Sequence, residues 1–132
     1  LAGELASRVA ALRRAIEETP GAPAQLATDV RNINGDLRAI REQLDGDPTL
    51  NQRQQATPPS LMGRMQVMIQ GARSLEPPTA TQRHQYDILS TEFAAVLVRL
   101  RAIADTRLRA VEAGAEQAGA PWTPGRIPEW KP

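Results

Sequence analysis

A chain of 132 residues carrying a formal charge of +1, 41% hydrophobic residues and only two Trp, one Tyr and one Phe is sized for one domain with one modest core. The near balance of charge implies no strongly electrostatic partner, and the absence of cysteine excludes a disulfide framework or a thiolate metal site. No apolar run approaches the ~18 residues of a membrane span, and a composition rich in Ala and poor in aromatics suits closely packed helices better than a sheet.

Residues 1–19 read as a first helix. Ala2, Leu5, Val9, Leu12 and Ile16 recur at spacings of three and four, which puts them on one seam. The helix lacks an evident N-cap and starts at Leu1, so we expect a processed product or a piece of something longer. Pro20, Gly21 and Pro23 end it.

A second helix is predicted over 24–44. Leu26, Val30, Ile33, Leu37, Ile40 and Leu44 keep alternating spacings of four and three, the cleanest stripe in the chain. Arg38 and Glu42 are four apart and can pair on the surface. Asp45-Gly46-Asp47-Pro48 stops the helix, and the polar stretch 49–57 reads as an irregular loop. A third helix over 60–75 carries Leu61, Met65, Met68, Ala72 and Leu75, with Met62 and Ile69 widening its apolar face. That Met-rich face reads first as core filler between helices, and alternatively as an adaptable binding surface.

Pro77-Pro78 then forces an extended entry, and Thr79 with Gln82 makes a capping box. From there one long helix is predicted over 79–118, about 60 Å at 1.5 Å per residue. Its apolar arc takes in Tyr86, Leu89, Phe93, Val96, Leu97, Leu100, Ile103, Ala104, Leu108 and Val111, and Gly119 supplies the stop. Four amphipathic segments with short connections predict an all-α fold: an antiparallel up-down four-helix bundle over 1–118, with an extended Pro/Trp tail over 119–132.

No constellation of catalytic residues emerges. His84 is the only histidine and falls on the polar side of the long helix, so neither a zinc site nor a triad can be assembled around it. Glu92, Asp87 and Glu112 lack the Glu-x-x-His pattern of a bundle metal site. Arg99, Arg101, Arg107 and Arg109 scatter around the helix and do not form the one-sided stripe that nucleic acid requires; Asp105 and Glu112 are spaced to pair with them. We therefore expect no catalytic, cofactor or metal site. Arg107 alone falls inside the apolar arc. Its stem can pack while its head reaches water, or it can anchor a partner. The tail holds Trp122, Arg126, Ile127 and Trp130 among four prolines. Its apolar side chains are too large to leave in water without a reason, so we expect them to plug a groove, in this bundle or in a partner. Arg107, Trp122, Arg126, Ile127 and Trp130 are the candidate partner-binding residues.

Three segments together, Pro58-Pro59-Ser60-Leu61, Pro77-Pro78-Thr79 with Gln82 and Tyr86, and Gly119-Ala120-Pro121-Trp122-Thr123-Pro124-Gly125-Arg126, resemble the C-terminal helical region of bacterial exoproteins with BNR-repeat, sortilin-like β-propellers, often described as glycosyl-hydrolase-like. The resemblance spans most of the chain. It implies an exported protein, periplasmic or secreted, whose helices follow propeller blades and a small β-domain. This sequence contains neither blades nor β-domain, so no propeller activity carries over. The expected role is a non-catalytic helical interaction or scaffold module, a C-terminal part or subunit of a larger exported assembly, with a protein or an upstream domain as partner. The alternative is an accessory piece of a glycoside-processing propeller enzyme.

Overall fold

The structure, a computed structural model, describes residues 1–53, 58–71 and 77–126, the Asn51 side chain excepted. Among these residues all regular structure is helical, as the patterning predicts. The elements are α1 (Ala2–Glu17), α2 (Ala24–Asp45), α3 (Pro48–Gln52), α4 (Leu61–Gly71), α5 (Ala80–Ala102), a π-helical segment (Ile103–Arg107) and α6 (Leu108–Gln117). Contacts divide the chain into two compact units: Leu1–Leu37 with Leu100–Pro132, and Arg38–Arg99.

The first unit has a closed core. Leu5, Val9, Leu12 and Ile16 of α1 and Leu26, Val30, Ile33 and Leu37 of α2 are buried, the positions that their stripes assign to the inside. Leu108, Val111 and Ala115 of α6 complete it. The predicted uninterrupted long helix is corrected between Ile103 and Leu108. Those two core residues are five apart, a spacing an α-helix cannot keep on one face. The segment between them widens to a π-turn, in which the Leu108 N–H donates to the Ile103 carbonyl. Both side chains are thereby buried on the same core. Farther on, Gly114 lies so close to Leu26 that a Cβ there would sit 2.6 Å from Leu26 Cδ2.

The C-terminal stop is a Schellman motif. Gly119 adopts φ 75°, Gly119 N donates to Glu116 O at 3.0 Å, and Ala120 N donates to Ala115 O at 2.9 Å. The reversal brings residues 120–126 back onto the unit. Gly125, at φ 86°, rests against Arg8 so closely that a Cβ would meet its Nε at 2.9 Å. Thr123 and Arg126 are buried, whereas Trp122 is 54% exposed and does not plug a groove of this bundle. In an extended segment neighbouring side chains point to different sides, and here the indole is turned outward. Ile127 and Trp130 lie outside the described residues.

The second unit comprises two turns of α2 (residues 38–45), α3, α4 and residues 80–99 of α5. Helix α3 corrects the first part of the loop predicted over 49–57, of which 54–57 lie outside the described residues. Asp47 acts as its N-cap, accepting from the Thr49 N–H at 2.8 Å, and Pro48 occupies the first helical position, where its missing N–H is not needed. Ser60 accepts from the Gly63 N–H at 3.1 Å to start α4. The capping box at α5 forms as predicted: the Thr79 N–H donates to Gln82 Oε1 at 2.7 Å and the Gln82 N–H to Thr79 Oγ1 at 3.2 Å. The Arg38–Glu42 pair also forms, at 2.9 Å.

Candidate interaction surface

Among the described residues, no group of three or more His, Asp or Glu side chains is placed to hold a metal ion, and no helix is long and apolar enough to cross a membrane. His84 is exposed. The predicted pairing of Asp105 with Arg101 and Arg109 is absent; the nearby charges instead tie helices together. Arg107, in the π segment, donates to Asp36 of α2 at 2.5 Å. Arg8 of α1 donates to Glu112 of α6 at 2.7 Å, with the carboxylate largely covered. Arg126, whose side chain is only 5% exposed, reaches Glu116 at 3.4 Å and stacks over the Trp122 ring at 5.2 Å. Of the predicted partner-binding residues, Arg107 and Arg126 are therefore engaged within the chain. Trp122 keeps an open face, and the structure does not bring it together with Arg107. Around Arg8 and Arg126 two bases meet two acids, so no net charge is left to draw an ionic ligand.

The open surface lies in the second unit. Among the described residues, Ile40, Leu61 and Val96 are its buried apolar side chains, against fourteen in the first unit. Of the eight large hydrophobic residues exposed among the described residues, six belong here: Met62, Val67, Ile69, Tyr86, Phe93 and Val98. Tyr86 (57% exposed) and Phe93 (46%) correct the expectation that the whole arc of the long helix is covered. The cause is a shortage of neighbours. Residues 80–99 run about 30 Å and α4 about 16 Å, whereas α2 contributes only about 12 Å to this unit and meets α5 near its end, where Arg99 donates to Gln43 at 3.2 Å.

Helices α4 and α5 form an antiparallel hairpin. Arg64 donates to Gln85 Oε1 at 2.6 Å, and the Gln82 amide fills the space beside Gly71. These contacts define the line along which the helices meet. At 100° per residue, Tyr86 and Phe93 sit about 60° from that line on α5, and Met65 about 110° from it on α4, both toward the same side of the hairpin. Met62 and Ile69, seven residues apart, continue round the outside at about 160°. Val67 and Val98 fall elsewhere on the cylinders. Met65, Tyr86 and Phe93 thus share one side of the hairpin, and Met62 and Ile69 lie round the back of α4. Arg64, the only charged residue of α4, is turned inward to Gln85.

Sequence reasoning singled out this Met-rich face but assigned it first to core, because periodicity identifies the apolar side of a helix without saying what covers it. No family model, no curated protein and no solved structure matches the chain.

Proposed function

We propose that the chain is a non-catalytic helical interaction module that docks through the apolar side of the α4–α5 hairpin. The observation that carries this reading is the uncovered set Met62, Ile69, Tyr86 and Phe93 on two adjacent helices. Each of these side chains is about half exposed, and together they leave on the order of 300 Å² of apolar surface open around the hairpin. The first unit keeps its ion pairs within the chain. A place as the C-terminal part or subunit of a larger exported, periplasmic or secreted assembly rests on the resemblance to the propeller exoproteins.

The test is substitution of Phe93 by Glu, which puts a charge on the patch at a position already half in water. Helix content is expected to be unchanged, while a stoichiometric partner that co-purifies with the native chain is lost. Unchanged co-purification would overturn the assignment of the surface. A glycan-hydrolysis assay on the isolated chain is expected to show no turnover; hydrolysis that survives repurification would overturn the non-catalytic reading.

A further inference from the structure

We propose that the π-turn at Ile103–Arg107 is a register switch in the long helix, and that it decides whether Tyr86 and Phe93 are presented or turned inward. The inference rests on the interaction-module reading and adds the regulation of that surface.

Helix α5, the π segment and α6 follow one another without a break, so the phase of each side chain can be counted from Leu108 at 100° per residue. Leu108, Val111 and Ala115 mark the core line of α6. Upstream of the turn the helix carries two apolar stripes, one residue apart. The first is Leu89, Val96, Leu100 and Ile103; the second is Tyr86, Phe93, Leu97 and Ala104. In an unbroken α-helix the second stripe centres within about 20° of the α6 line, and the first lies about 85° from it. The surplus residue of the π-turn adds about 100° and exchanges the two. Burial follows the widened count. Val96, Leu100 and Ile103 are at most 5% exposed, whereas Tyr86 and Phe93 are 57% and 46% exposed. The outward turn of both aromatic rings is thus tied to one turn of backbone.

Each register joins a continuous apolar line to the same α6 face, so the sequence supports two discrete packings of one helix. Narrowing the turn without removing a residue rotates α5 by about 100° on its own axis and shifts it by about 1.5 Å. Tyr86 and Phe93 then take the side that Leu89 and Val96 hold now, and the surface closes. On the α6 side Arg107 is pinned to Asp36, so the slack falls on α5. There the observed register is held by hydrogen bonds to neutral amides: Gln85 accepts from Arg64, and Gln43 accepts from Arg99. Arg101 also favours it. This side chain is exposed and lies about 150° from the α6 line, and the closed register would bring it within about 50°.

The protein has no cysteine, so single cysteines report the register by their rate of thiol modification. Ser90 is exposed in the observed register and falls on the core line in the other; Val96 is buried in the observed register and leaves that line in the other. Combining Ile103→Ala with Ala104→Ile places the apolar side chain four residues from Leu108 and removes the reason for the π-turn. In that background Ser90→Cys is expected to slow and Val96→Cys to quicken, each more than about tenfold, with helix content unchanged. Opposite changes at two positions do not come from unfolding, which quickens both. Deletion of Asp105 acts the other way. It removes the surplus residue and fixes the observed register with no π-turn, so the rate at Val96→Cys relative to Val111→Cys, on the α6 line in either register, is expected to fall below that of the undeleted chain. An unchanged ratio overturns the switch, and so does a folded double variant in which Ser90→Cys reacts as before. Should the double variant not fold, the deletion comparison decides alone. A co-purifying partner retained by the double variant although Ser90→Cys is protected overturns the docking reading and leaves the switch standing. A partner lost on Phe93→Glu while the cysteine rates stay unmoved does the opposite.

Discussion

The two units are made of the same kinds of residue at the same helical spacings, yet one closes and the other does not. In the first, α1, α2 and α6 run side by side and the returning tail adds Thr123 and Arg126, so each apolar stripe finds a neighbour. In the second, α5 outruns the short segment of α2 beside it and leans on α4 alone. Two helices cannot hide both of their stripes from water. The supply of neighbouring elements decides whether an amphipathic pattern becomes core or stays open to water.

The sharpest way to break this contrast is to truncate one side chain in each unit. Leu108→Ala empties a fully buried position and is expected to cost about 2–5 kcal/mol in urea unfolding. Phe93→Ala is expected to cost under about 1 kcal/mol, because much of its ring is already wet. Equal losses would mean that the second unit is as closed as the first.

A smaller effect separates the two ends of the tail. Arg126→Ala removes a covered guanidinium from Glu116 and is expected to lower stability by about 1–3 kcal/mol. Trp122→Ala removes an outward-facing indole and is expected to cost under about 1 kcal/mol. The reverse order in a melting series would restore the tryptophan as the plug.

Local signals carried much of the fold. The Thr79–Gln82 box, the Gly119 stop and the α1 and α2 stripes each depend on residues within a turn or two of one another, and each stands where the pattern puts it. The Asp47-Pro48 start of α3 was equally local, but it was masked by reading the polar run after it as loop. What could not be read depends on distant partners. The outward turn of Trp122, the pairing of Arg107 with Asp36 and the wetness of Tyr86 are set by elements far away in the chain. The π-turn falls between: the five-residue step from Ile103 to Leu108 was visible, yet an arc drawn at 100° per residue absorbed it.

The smallest expected effect concerns α3. The Thr49 backbone N–H holds the Asp47 carboxyl below its ordinary value of 3.8, with Leu50 and Arg38 adding to the shift and desolvation opposing it. A carboxyl whose folded pKa is depressed stabilises the cap fully above its unfolded pKa, and the contribution is lost as the pH falls through the folded value. Hydrogen exchange at the Thr49 amide is therefore expected to lose protection only below about pH 4, relative to helices without an acidic cap. Asp47→Ala should remove that protection at neutral pH as well. Identical exchange in the variant and the native chain would show that the cap does not hold α3.

The widened turn at Ile103–Arg107 has a mutational consequence. One residue more or fewer in an ordinary helix swings everything downstream by about 100°. Here the surplus is confined to a single bulge, so Leu108, Val111 and Ala115 keep their aim, and Glu112 and Glu116 still meet Arg8 and Arg126. Deleting one residue from the bulge should therefore give an ordinary α-helical turn with Glu112 and Glu116 still aimed at their arginines, whereas deleting one from α6 ahead of Glu112 should carry both carboxylates away and free α1 and the tail together.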